Sequence, residues 1–272
     1  MRAGHDELPL IPNPSPGLCW EKGAGPSVIF RGEYVLLARN SAGIGYHFPP
    51  MKNTNSPFRI CLVRHGETEW NRDGRWQGHA DVPLNAAGRE QAARLARRMA
   101  DAGMRFNRLY SSDLRRAWET AEPIGAALGL KPAAARALRE IDLGAWSGKT
   151  REEIARDDPE TWARLQANED IPRGGGETYA ALGRRVLDWL EATIREDAGR
   201  SVCAVTHGGC IRAILLHALG LQWIDRGRLP IIRNASISVL ELTDGSWSVP
   251  VPSETLEGMG REGDPARGAE EA

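Results

Sequence analysis

Between residues 59 and 243, short apolar runs alternate with longer stretches whose apolar positions recur every three or four residues. That is the pattern of buried strands separated by amphipathic helices. Arg59–Val63 (RICLV), Arg108–Ser111, Ser201–Thr206 (SVCAVT) and Ile237–Leu242 are short, apolar and bounded by turn-forming residues, so each is predicted to be a strand. Asn85 is placed to cap a helix from Ala86 to about Ala102, with Leu95 and Met99 on one face. A second helix is predicted from about Asp113; it carries Pro123 and ends near Gly129. Thr150-Arg151-Glu152-Glu153 fits a capping box, and Leu182, Val186, Trp189, Leu190 and Ile194 trace the stripe of a long helix. A last helix follows Gly208-Gly209, runs to Leu219 and is closed by Gly220. Strands alternating with helices in this way predict an α/β fold: three α/β/α layers around a mainly parallel central sheet.

The flanks break the pattern. Residues 1–57 are rich in proline and glycine, with LPLIPNPSPG near the front, and are expected to be an irregular extension. Within them only Tyr34–Ala38 reads as a strand, and it has no evident partner. Met51 stands just before the first apolar run of the domain, so it is expected to mark the practical boundary, with residues 1–50 dispensable. Residues 250–272 carry six acidic and two basic side chains with little apolar content, and they are expected to form a solvated tail. The catalytic domain is thus expected over residues 58–249.

Composition narrows the function classes. Of 272 residues, 41% are hydrophobic and 26% charged, enough for a full core. A net charge of -1 supplies no global field for nucleic acid or for an acidic membrane surface, and neither partner is expected. No apolar run approaches the length of about 18 residues that a membrane helix needs, and the first residues lack the order of a signal peptide. A soluble cytoplasmic protein is expected. Cys19, Cys61, Cys203 and Cys210 form no CxxC pair and are expected to be free thiols.

In a parallel sheet, ligands bind beyond the carboxyl ends of strands, so the residues that follow each apolar run carry the chemistry. Two such ends hold a histidine followed by glycine: Arg64-His65-Gly66 and Thr206-His207-Gly208-Gly209. The glycines let backbone N–H groups approach an anion, and the second pair opens a helix whose N-terminus favours negative charge. Arg64 adjoins the first histidine, and Arg115 opens the helix after Tyr110-Ser111-Ser112. A guanidinium forks onto two phosphate oxygens, so these groups suggest a phosphoryl ligand, with a structural ion cluster as the other reading. Glu140 follows another apolar stretch and is a candidate proton donor. The histidines form no HxxxH or HExxH pair, so no metal site is expected.

The run Leu62-Val63-Arg64-His65-Gly66-Glu67-Thr68-Glu69-Trp70-Asn71, then Gln77-Gly78, Asp81–Asn85 and Gly88–Ala92, resembles the signature of the histidine phosphatase superfamily, whose fold is phosphoglycerate mutase-like. The likeness continues through Tyr110–Ala117, Arg139–Gly144, Gly175-Gly176-Glu177-Thr178 and Val205–Gly209. The resemblance implies that His65 attacks phosphorus and that Arg64, Arg115 and His207 surround the transferring oxygens, while Glu140 serves as acid and then base. It implies substrate contacts from Arg64, Asn71, Gln77, Gly78, Arg115, His207 and Gly208. It implies no cofactor and no metal.

Cofactor-dependent mutases of this family carry a long basic insertion between the acid/base glutamate and the second histidine. Here the interval from Glu140 to His207 is short and partly acidic. The reading is therefore a metal-independent phosphomonoesterase for small phosphorylated metabolites, resembling the branch that holds alpha-ribazole phosphatases and broad-specificity bacterial phosphatases. A cofactor-dependent phosphoglycerate mutase and a phosphoprotein-binding non-enzyme are the alternatives, and a homo-oligomer is compatible with the sequence. Trp76, Trp118 and Trp146 lie near motif residues and are candidate walls of the pocket; His79 and His217 read as structural or surface residues.

Overall fold

The computed structural model describes residues 57–254 together with two strands ahead of them. Those strands, Ser27–Arg31 (β1) and Tyr34–Ala38 (β2), pair antiparallel in a sheet of their own. The strand expected at Tyr34–Ala38 is present, and Ser27–Arg31 is the partner that its sequence did not announce. The boundary at Met51 and the chain beyond Glu254 lie outside the described residues.

The main sheet contains Phe58–Arg64 (β3), Arg108–Ser111 (β4), Pro132–Ala134 (β5), Ser201–Thr206 (β6), Ile237–Thr243 (β7) and Ser246–Glu254 (β8), in the order β5-β4-β6-β3-β7-β8. The first four neighbours run parallel, whereas β7 and β8 are antiparallel additions at one edge. The tail starts later than expected, because residues 250–254 complete β8 against β7. Pro250 and Pro252 are tolerated there because β8 is an edge strand and one side of its ladder needs no donors.

Period-two alternation along the central strands builds two cores. Ile60 and Leu62 of β3, with Val202 and Ala204 of β6, face one cluster, and Cys61, Val63, Cys203 and Val205 face the other. The first cluster is covered by Tyr179–Glu196 (α6) and Gly208–Ala218 (α7), and the second by Ala86–Asp101 (α2) and Arg115–Leu128 (α3). This is the expected three-layer α/β/α architecture. The stripe of α6 buries Leu182, Val186, Leu190 and Ile194; truncating one such side chain to alanine costs about 2–5 kcal/mol. Smaller helices Glu69–Arg72 (α1), Arg151–Asp157 (α4) and Pro159–Gln166 (α5) sit between the main elements, and α4 has the expected capping box at Thr150. Among the described residues no helix is long and apolar enough to cross a membrane. Cys61, Cys203 and Cys210 are free and buried.

In chain order β4 follows β3, yet β6 lies between them in the sheet. All three are parallel, so their carboxyl ends converge where the strand order reverses, the place where ligands bind in such sheets.

Candidate active site

Parallel pairing of Arg64 with Thr206 brings the next residues, His65 and His207, side by side. The His65 N–H donates to the Thr206 carbonyl (3.0 Å), and the two imidazole centroids are 5.1 Å apart. Both rings are buried. His65 Nδ1 lies 2.7 Å from the Gly66 carbonyl oxygen, which can only accept. In the neutral ring the proton therefore sits on Nδ1 and the lone pair on Nε2. Burial, then the Arg116 and Arg64 charges, hold His65 well below the usual histidine range. Near neutral pH it is an uncharged base.

His207 is the N-cap residue of α7 and is likewise held low by burial and by Arg116. Its Nε2 is 2.8 Å from Ser112 Oγ, while Nδ1 has no hydrogen-bond partner. Ser112 Oγ already accepts from the Leu114 N–H (3.3 Å), which leaves its own proton for His207 Nε2 and the ring proton for Nδ1.

Arg64 lines the cavity, with one guanidinium N–H on the Ile232 carbonyl and its Cζ 4.0 Å from the place a Cβ on Gly208 would occupy. Arg115 does not. Its side chain is 58% exposed, pairs with Glu119 one turn along α3 and stays out of the cavity. The next residue, Arg116, takes that place. It is fully buried, donates to the Gly78 and Ala80 carbonyls (2.8 Å each) and keeps Nε without a partner. The reason is helical phase: Arg116, Thr120 and Ile124 share the face of α3 that packs inward, whereas Arg115 and Glu119 share the outer face. Burial, followed by repulsion from Arg64, pushes the Arg116 guanidinium down to about 10, although Glu140 pulls the other way. That sequence signal was present in the apolar spacing after Arg115.

Glu140 lines the cavity, its Oε1 and Oε2 accepting from the Ile141 and Gly209 N–H groups (2.9 and 3.1 Å). A Cβ on Gly209 would stand 2.2 Å from Glu140 Oε1, so the approach requires glycine at that position. The Glu140 carbonyl accepts from His79 Nε2 (2.8 Å) and Arg185. Arg185 also binds both carboxylate oxygens of Glu177. Glu177 and His79 thus hold the strip that carries Glu140.

Asn71 and Gln77 also line the cavity, with Gly78 and Gly208. Asn71 Oδ1 is taken by Thr68 and by Asn234 Nδ2, which leaves the Asn71 amide N–H groups for a ligand. Gln77 Oε1 is buried without a partner. Glu67 and Thr68 serve the loop: Glu67 accepts from Asn85 and Thr68 caps α1. Trp76 is a wall residue, as expected; Trp118 and Trp146 are not, and Trp146 is instead buried with its N–H on Asp158.

The cavity measures ≈ 450 Å³. Besides Arg64 and Arg116 it is lined by Arg75, Arg151, Arg173 and Arg212, against Glu140, Glu152 and Asp73. Sequence reasoning missed Arg116, Arg173 and Arg212, and it missed Asn234, whose amide donates to the His65 carbonyl (3.0 Å) and pins the histidine loop. Nothing in the local pattern around Arg173 or Asn234 marks them, because both reach the site from distant loops.

The model of the histidine phosphatase superfamily (branch 1) matches residues 60–254, and the chain belongs to that family. Among its relatives, phosphoglycerate mutase-like protein 4 of Arabidopsis thaliana is 39% identical over 197 residues, 71% of this chain and 83% of the relative. A metal-independent phosphoserine phosphatase of the same plant is 38% identical over 195 residues, 70% and 79% of the two chains. The mycobacterial glucosyl-3-phosphoglycerate phosphatase solved with VO3 superposes with a TM-score of 0.64 at 31% identity, covering 71% of this chain and 97% of that one. Family and phosphatase relatives together define the enzyme class as phosphoric monoester hydrolase.

Proposed function

We propose that this protein is a metal-independent phosphomonoesterase that acts on small phosphorylated metabolites through a phosphohistidine at His65. The observation that carries the reading is the state of His65: a neutral ring whose Nδ1–H is fixed on a carbonyl, which leaves the lone pair on Nε2 as the nucleophile, with the charges of Arg116 and Arg64 acting on the ring. Phosphoryl transfer needs little covalent help from the protein beyond positioning and charge. Arg64, the unpartnered Arg116 Nε–H, the His207 Nδ1–H and the Asn71 amide supply donors to the three equatorial oxygens. His65 Nε2 bonds to phosphorus as the ester oxygen leaves, and Glu140 delivers a proton to that oxygen. A water then attacks the phosphohistidine, Glu140 takes its proton, and His65 and inorganic phosphate are released. The helix start at Gly208 adds its positive end to the same region.

Hydrolysis rather than return of the phosphoryl group is supported by the interval from Glu140 to His207. Its helices α4 and α6 pack onto the core through Ile154 and Leu182, and α5 packs against it through the partly buried Trp162 and Leu165. Phosphate release from a panel of esters in EDTA, compared between the wild type and His65→Ala, tests the reading. Rapid quench with radiolabelled ester should yield an acid-labile protein label that the variant lacks. Full activity in His65→Ala, or a rate that EDTA abolishes, refutes it.

A further inference from the structure

The Nδ1 proton of His65 rests on the Gly66 carbonyl, and the N–H at the other end of that same peptide is also engaged. This Glu67 N–H donates to Gln91 Oε1 (2.8 Å), and because an N–H can only donate, it is the amide oxygen of Gln91 that turns towards it. A line of hydrogen bonds thus runs from α2 to the ring: Gln91 Oε1 to the Glu67 N–H, through the peptide to the Gly66 carbonyl, and on to His65 Nδ1. Donation by one end of a peptide polarises it and makes the carbonyl at the other end a stronger acceptor. That strength matters here, because Asn234 Nδ2 reaches the same carbonyl at 3.3 Å. Burial and the charges of Arg116 and Arg64 lower the proton affinity of His65, whereas the Gly66 carbonyl raises it.

The start of α2 is laid onto this loop. Asn85, Gly88 and Gln91 follow one another three apart along one side of the helix, and all three meet Glu67. The Asn85 N–H and Nδ2 donate to the Glu67 carbonyl and Oε1 (3.0 and 2.7 Å), and a Cβ on Gly88 would stand 2.0 Å from that carbonyl oxygen. The preceding peptide is gripped as well, with the Gly66 N–H on Thr120 Oγ1 of α3 (3.0 Å) and the His65 carbonyl on Asn234. Gln91 is the side chain that meets the N–H of the peptide holding the ring proton. Without an acceptor for that N–H the peptide is free to turn, and the carbonyl turns with it.

We propose that Gln91 is a positioning residue for the nucleophile: through the Glu67 peptide it fixes the proton on His65 Nδ1 and so keeps the lone pair on Nε2. The proposal rests on the reading of His65 as the group that attacks phosphorus, and it adds a residue of α2 to that reaction.

Two exchanges at one position separate this role from packing. Gln91→Leu keeps the bulk and removes the acceptor, whereas Gln91→Glu keeps the acceptor and adds a negative charge. Turnover of para-nitrophenyl phosphate against pH and NMR of the histidine ring nitrogens read both, with His65→Ala identifying the His65 signals. Gln91→Leu should lower kcat roughly three- to tenfold with KM little changed, the worth of one neutral hydrogen bond. It should also move the acid limb of kcat/KM to lower pH and show His65 as a mixture of Nδ1–H and Nε2–H tautomers. Gln91→Glu should keep the single Nδ1–H tautomer and move the acid limb to higher pH than in the wild type, because a carboxylate acting through the peptide stabilises the charged ring. The charged and titratable groups about the ring are the same in all three proteins: Arg64, Arg116 of α3, His207 at the start of α7, Glu140 in the same cavity, and Glu67 beside position 91. A folded Gln91→Leu enzyme with the wild-type tautomer and acid limb overturns the proposal, as does an equal loss in both variants with neither limb displaced. If Gln91→Leu does not fold, the direction of the shift in Gln91→Glu decides. Turnover that survives His65→Ala is a failure of the nucleophile reading instead, and the tautomer of His65 in the resting variants then decides whether Gln91 sets it.

Discussion

Exchanging the two neighbouring arginines of α3 for glutamine, one at a time, separates cradle from surface. Arg116 is fully buried, and two of its nitrogens are spent on the Gly78 and Ala80 carbonyls. Its Nε has no partner, it lines the cavity, and its charge lowers the proton affinity of His65 and His207. A hydrogen bond to a charged group is worth about 1.5–3 kcal/mol, and two to a phosphoryl group about twice that, so Arg116→Gln should lower kcat/KM by roughly 10²–10⁴-fold. It also leaves two buried carbonyls short of a donor, at about 1–3 kcal/mol each, so Tm should fall as well. Arg115→Gln loses only a one-turn pair with Glu119, about 0.3–0.5 kcal/mol at most, and should keep kcat/KM within about threefold. Para-nitrophenyl phosphate turnover below each variant's melting transition, with circular dichroism to confirm folding, reads both. A folded Arg116→Gln enzyme within tenfold of the wild type, or a larger loss from Arg115→Gln, would refute the assignment of the cradle.

Four further outcomes follow from the geometry. Gly209→Ala drives a methyl group against Glu140 Oε1 and should lower kcat at least about tenfold while barely changing Tm, since only a side chain must move; a normal kcat would show that Glu140 need not sit there. Both histidines are held low, so the neutral form of His65 persists below the ordinary histidine range and the acid limb of kcat/KM should lie below pH 6.5. The same depression makes the unfolded chain bind more protons than the folded one as pH falls through 6.5, so Tm should drop from pH 7 to pH 5, and less so in His207→Gln; an acid limb above pH 7 contradicts this. The residues assigned above to the cavity lie within residues 57–254, and a chain beginning at Met51 should therefore fold and keep its kcat/KM within about threefold; insoluble or inactive protein would assign residues 1–50 a structural part.

Much of the scaffold could be read before any coordinates. The strands RICLV and SVCAVT, the caps at Asn85 and Thr150 and the glycine after α3 are local devices, set by side-chain alternation and backbone hydrogen bonding within a few residues. The histidine pair, Glu140 and the glycines beside them were legible because each stands at the end of an apolar run, and a parallel sheet turns that one-dimensional position into a shared edge. Other features depend on packing between distant parts. β5 and β8 are edge strands stabilised by the neighbour they lie against, and β1 gave too weak a local signal to be seen beside β2. Which of two adjacent arginines turns inward was decided by the rotation of α3 against the sheet, a 100° step per residue that a motif does not display. Arg173 and Asn234 come from loops that approach the site only after the sheet has closed. Sequence by itself thus determined the central strands, the main helices and the family, because those rest on short-range periodicity and on runs of chemistry-bearing residues. The reach, burial and charge balance of the pocket were settled by tertiary structure, because they depend on which side chains from distant segments share one volume with little water.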